Sequence, residues 1–151
     1  MDGLSAEQKK KAESLTALGL PEEQAVKSVT AKPSPTGVAA HCYAMLKIKA
    51  DADMGALTDA LKGYSAASKA SKGKVSASYS IASGEVQFFE IYDSMGAMDE
   101  HIGNCFPHYV KMLPHADMAE IVCVVDPKDL DAWKASLAAW GASKFIVTAA
   151  I

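Results

Sequence analysis

The sequence predicts a mixed α+β domain over residues 38–151, of the ferredoxin-like split βαβ kind, β-α-β-β-α-β, with a C-terminal α-β addition. Three observations predict it. Strand-like and helix-like runs follow one another in that order. The central runs KVSASYSIA and EVQFFEIYD are joined only by Ser83-Gly84, a hairpin turn pair. Helices on a single face of such a sheet leave the other face needing cover, and a second copy supplies it, so the expected assembly is a dimeric α+β barrel. Residues 1–37 stand apart as a helical N-terminal extension and linker.

From the beginning of the chain, Ser5 to Leu18 has helical apolar spacing at Ala12, Leu15 and Leu18. Gly19 suits the left-handed position past a helix end, and Leu20 the apolar contact after it. Pro21 opens a second helix, PEEQAVKSV, with acids in the first turn where the helix dipole favours them. KPSPTG is a linker by composition. VAAHCYAMLKIKA then reads as a strand, and Gly55 to Lys69 as a helix with Leu57, Leu61 and Tyr64 on one face. After the hairpin, Asp93 or Ser94 caps a helix running through Met98 and Ile102 toward Phe106, and Pro107 is expected to restart it as a separate turn. MAEIVCVVD is a strand, and Asp126-Pro127 a helix start. Leu130, Trp133, Leu137 and Trp140 form that helix's apolar stripe, Gly141 ends it, and KFIVTAAI closes the chain as a strand.

Composition narrows the function classes. Net charge is −3, and all fifteen basic residues are Lys. Arg is the preferred fork for phosphate and guanine, so its absence weighs against nucleic acid and against a large polyphosphate cofactor. No apolar run is long enough to span a bilayer, and the polar N-terminus has no signal-peptide core, which predicts a cytoplasmic protein with no membrane partner. Cys42, Cys105 and Cys123 are an odd set without a CxxC pair, expected to be free buried thiols in a reducing compartment. A small aromatic or apolar molecule remains as the expected ligand.

The stretch FFEIYDSMGAMDEHIGN carries a resemblance. Its aromatic Phe89, Glu90, aromatic Tyr92, acidic Asp93 and later His101 resemble the antibiotic-biosynthesis monooxygenase superfamily of dimeric α+β barrels, in which Trp commonly stands where Tyr92 does. The preceding strand-helix-strand from His41 to Ala82 has lengths that suit the same fold, and the last strand-helix-strand resembles an extra element of some members. The resemblance implies chemistry without a cofactor, in which a proton is removed from an electron-rich substrate that then reacts directly with oxygen. The haem-degrading branch is disfavoured, because no His takes the place of its axial ligand and no Arg is present to pair with propionates.

The candidate site follows from strand alternation. Phe88, Glu90 and Tyr92 fall on one face of their strand, and Gln87, Phe89 and Ile91 on the other. If the first face looks toward the helices, Glu90, Tyr92 and His101 become the expected catalytic residues, with Tyr64, Phe88, Met98 and Tyr43 holding the substrate. A carboxylate facing an apolar cavity is expected to have a raised pKa and to accept a proton from a phenol or quinol. The competing reading ties Glu90 to His101 or to backbone, where it only fixes the helix. His101, Cys105 and His108 have helical metal-ligand spacing, but Pro107 interrupts them and no fourth ligand motif is adjacent, so no metal is expected. Two functions stay open: a cofactor-independent oxygenase acting on a phenol or quinol, and a non-catalytic module that binds an apolar ligand or a protein, with the N-terminal hairpin as its docking element.

Overall fold

The computed structural model describes residues 1–142 and 144–149; Ala150 and Ile151, the end of the predicted closing strand, lie outside the described residues, as does Ser143. Two helices come first, α1 (Ala6–Ala17) and α2 (Glu22–Thr30). Ser5 and Gln8 form a reciprocal capping box at the start of α1. Its end is a Schellman motif: Gly19 turns at φ +106°, and Leu20 N–H donates to the Leu15 carbonyl at 3.1 Å. That turn folds α2 back along α1.

The body contains β1 (Ala40–Ile48), α3 (Met54–Ser68), β2 (Lys74–Ala82), β3 (Glu85–Tyr92), α4 (Met95–Met112), β4 (Ala116–Val125), α5 (Leu130–Ala139) and β5 (Phe145–Ala149). A short 3₁₀ turn, Pro127–Asp129, capped by Asp126, leads into α5. Among the described residues the result is a mixed α+β architecture with five helices and a five-stranded sheet in the order β2-β3-β1-β4-β5. Pairing is antiparallel throughout except for the parallel β4–β5 pair. Ser83 (φ 53°) and Gly84 (φ 79°) make the two-residue turn between β2 and β3; positive φ at both positions matches the right-handed twist of the paired strands.

One sheet face is buried under α3, α4 and α5. Its centre holds Leu46, Val86 and Phe88 against α3 and α4, and Ala40, Tyr92 and Val125 against α5, whose Trp133 is fully buried. The hairpin adds a third cluster, Ala12, Leu15, Leu20 and Ala25, packed against Ala139 and Trp140. Each leucine sealed there contributes about 1.5–3 kcal/mol. The apolar face of the hairpin is therefore used within the chain. Leu18 is its exception, partly exposed at the end of α1. Among the described residues, no helix is long and apolar enough to cross a membrane.

Four expectations are corrected. Pro107 does not restart the helix; it lies inside a continuous α4. A proline in a helix interior costs roughly 3 kcal/mol, but Cys105 before it and Met112 after it are both fully buried, so packing holds the helix through. α3 also comes very near at this point: a Cβ on Gly63 would meet the His108 ring at 2.2 Å. Second, Cys42 and Cys123 are not free. They face one another across β1 and β4 with Cα atoms 4.3 Å apart, the close spacing of a non-hydrogen-bonded antiparallel pair, and are joined as a disulfide, leaving Cys105 as the free thiol. The other two concern Tyr43 and the Glu90 pKa and belong with the site.

Candidate functional site

β3 carries the first half of the site. Its alternation buries Val86, Phe88, Glu90 and Tyr92 beneath the helices, and turns Phe89 to the opposite face at 53 % exposure. α4 carries the second half. Ser94 caps it, its Oγ accepting from the Ala97 N–H at 3.2 Å, and this phase directs Met98, His101 and Cys105 into the interior. Tyr64 reaches the same point from α3.

These residues form one hydrogen-bonded cluster around Glu90. Tyr92 donates to Oε2 at 2.7 Å, and Tyr64 donates to Oε1 at 3.2 Å. His101 Nε2 lies 2.8 Å from Oε1 and 3.2 Å from the Tyr64 hydroxyl. A carboxylate only accepts, so Nε2 carries the proton in this contact. His101 Nδ1 meets Ser71 Oγ at 3.2 Å, and in the neutral ring it accepts from that hydroxyl. Cys105 Sγ sits 3.8 Å from the same ring.

The electrostatics differ from the expectation of a raised Glu90 pKa. Burial pushes the Glu90 pKa up, but the His101 hydrogen bond and charge, and the Tyr92 and Tyr79 hydroxyls, outweigh it and hold the carboxyl below its ordinary value. Glu90 is therefore an ionised acceptor. Burial first, and the Glu90 charge second, drive Tyr64 and Tyr92 well above the normal tyrosine range, so both stay phenols. The same two causes push the Cys105 thiol up to about 12, which leaves it un-ionised.

A cavity of about 140 Å³ opens between sheet and helices, with Tyr64, Glu90 and Tyr92 in its wall. Phe88 and Met98 line it as well; His101 stands behind Glu90, fully buried. Tyr43 does not belong here. It lies on the outer sheet face, against Phe89 with ring centres 4.8 Å apart, because β1 turns Ala40, Cys42 and Leu46 inward instead. Sequence reasoning missed Ile102, Phe106 and Trp140 as cavity residues. Ile102 and Trp140 were read only as apolar helix residues, and spacing alone did not show that their faces meet over a void.

Metal ligation finds no support in the geometry. His108 packs on Gly63 while His101 and Cys105 face the Glu90 cluster, and among the described residues no group of three His, Cys, Asp or Glu side chains could hold an ion.

No family model matches the chain, and no curated protein matches it significantly. Among solved structures it is similar to MupZ from Pseudomonas fluorescens, at 11% identity and a TM-score of 0.65, over 76% of this chain and 91% of that one. At that identity the likeness shows the fold: this chain has the α+β architecture of MupZ, carried on a different sequence.

Proposed function

We propose that the chain is a cofactor-independent oxidase or monooxygenase acting on a small phenol or quinol. The observation that carries this reading is an ionised Glu90, joined to His101 and two phenols, in the wall of an otherwise apolar cavity. A cavity of about 150 Å³ lined by apolar side chains accepts benzene, so about 140 Å³ suits one aromatic ring. Its hydroxyl would meet Tyr64 or Tyr92. The tyrosine oxygen accepts the substrate proton while the tyrosine passes its own to Glu90, so no buried tyrosinate forms. His101 holds the carboxylate in place. The electron-rich anion then reacts with dioxygen directly. For a hydroquinone, two electrons and two protons go to oxygen, giving quinone and hydrogen peroxide. For an acidic ring CH₂, oxygen enters as a carbonyl and water leaves.

Oxygen uptake with hydroquinone tests this. Uptake above that of buffer, lost in Glu90→Ala and reduced in His101→Ala, is expected; uptake no faster than buffer, or unchanged in both variants, rejects it. A second reading has its own support, because Glu90 is already satisfied by three donors and needs no substrate to complete it. In that reading the domain binds an apolar ring without turning it over, and hydroquinone would bind with no oxygen consumed.

The same reading includes the ferredoxin-like split βαβ assignment and a homodimer. The strand order β2-β3-β1-β4 supports the first. The uncovered sheet face supports the second: Tyr43, Phe89, Val124 and Ile146 stand outward there, and three of them are exposed by more than a third. Pairing of two such faces would hide them. Light scattering should give the mass of two chains, and a monomer at micromolar concentration would remove the dimer.

A further inference from the structure

Trp140 takes part in two structures at once. Its indole stands in the cavity wall, beside Phe106 with ring centres 6.2 Å apart. Its Nε1–H donates to Asp99 Oδ1 at 2.7 Å. Asp99, fully buried on α4, also accepts from the Ser136 hydroxyl of α5 at 2.5 Å and, through Oδ2, from the Ser28 hydroxyl of α2. Ser28 is held tightly against α4, since a Cβ on Gly96 would meet its carbonyl oxygen at 2.0 Å. Trp140 also packs against the hairpin's apolar cluster of Ala12, Leu15, Leu20 and Ala25. Contacts thus run without a break from the N-terminal hairpin, through Ser28 and Asp99, to the cavity wall.

A buried acid is a poor choice for stability alone, because apolar residues of similar volume do as well or better. What it supplies is direction: three donors converge on two oxygens, and each is fixed by the others. Lys11 of the hairpin pairs with Glu100 and acts on Asp99 only as the smallest of the favourable effects, after the three hydrogen bonds. We propose that Asp99, tied to the N-terminal hairpin through Ser28, is the positioning residue that fixes Trp140 in the cavity wall and so limits the cavity to a single aromatic ring. The limit rests on the reading above that this cavity receives a ring; the hold on Trp140 does not.

The test uses the full chain, with Asp99→Ala, Asp99→Asn, Ser28→Ala and Trp140→Phe. The Trp140 indole N–H signal, identified by its loss in Trp140→Phe, is followed by NMR for exchange with water. Binding of hydroquinone and of 1-naphthol is measured in parallel. Asp99→Ala should expose the indole N–H to exchange, and should shift preference toward the two-ring probe on the order of tenfold, as expected when one pocket contact is relaxed. Asp99→Asn keeps an acceptor for the indole and should restore most of both. Ser28→Ala, which leaves Trp140 its partner, should give a smaller change in the same direction and serves if Asp99→Ala fails to fold. An indole N–H equally protected in wild type, Asp99→Ala and Ser28→Ala overturns the proposal, as does an unchanged ratio of the two probes. Wild type binding neither probe would reject the ring-binding reading and, with it, the size limit. The hold on Trp140 would still be decided by its N–H exchange.

Discussion

Glu90 on β3 and Asp99 on α4 are both nearly sealed from water, at 8 % and 0 % exposure, yet their surroundings push them in opposite directions. Burial raises both. Around Glu90, a histidine partner and phenol donors reverse that effect, and the group ends below its ordinary value. Around Asp99, two serine hydroxyls and an indole N–H, with a smaller effect from the Lys11 charge, only soften it, and the group ends above. The difference teaches what a buried acid is suited for. A partner able to carry charge leaves an ionised acceptor in a cavity wall, whereas mainly neutral donors leave a structural clasp whose pKa stays raised. Only Glu90 lines the cavity; Asp99 meets it through Trp140.

Truncating each acid is the strongest way to break this contrast. Glu90→Ala leaves His101, Tyr64 and Tyr92 without their acceptor and should cost about 3–5 kcal/mol in urea unfolding. Asp99→Ala leaves three neutral donors unpaired at roughly 1 kcal/mol each, so about 3 kcal/mol is expected. If Asp99→Ala proves the more damaging, the charged partner is not what distinguishes the two sites. Tyr92→Phe removes one hydrogen bond to a charged oxygen, worth about 2 kcal/mol. It should also let the Glu90 pKa rise, visible by carboxyl-carbon NMR titration.

The finest test is the dependence of stability on pH, where the two acids have opposite signs. Glu90 is depressed, so its contribution is complete above the unfolded value of about 4.3 and is lost as pH falls through the folded value. Glu90→Gln should flatten that acid loss. Asp99 is raised, so its contribution is complete below the unfolded value of about 3.9 and is lost as pH rises through the folded value. Asp99→Asn should therefore gain on wild type as pH rises across that window. Equal slopes in wild type and Asp99→Asn would place Asp99 at an ordinary pKa.

Much of the sheet and of the Glu90 cluster was legible in the chain, because both depend on local signals. Alternation on β3 put Glu90 and Tyr92 on one face, the Ser83-Gly84 pair fixed the turn, and the cap before Met95 set the phase that turns His101 inward. Tyr43 was misread because β1 is apolar on both faces: Tyr43 and Met45 alternate with Cys42 and Leu46, and nothing in that run says which set meets the helices. Asp99 was invisible for another reason. An acid in a helix reads as solvent-facing, and its partners lie 71, 37 and 41 residues away. The Cys42–Cys123 bridge, 81 residues in span, had no local signal either. Pro107 shows the reverse error, in which a strong local rule yielded to packing on both sides.

The left-handed pair at Ser83 and Gly84 has a consequence for any change made nearby. A two-residue loop leaves no slack, so it dictates which atoms of β3 meet which of β2. Inserting one amino acid there, if the new loop let β3 slide by a single position, would carry Phe89 and Ile91 under the helices and swing the glutamate and its phenol out to water. The chemistry proposed for this chain is thus guarded by the shortness of a bend that touches none of the reacting groups.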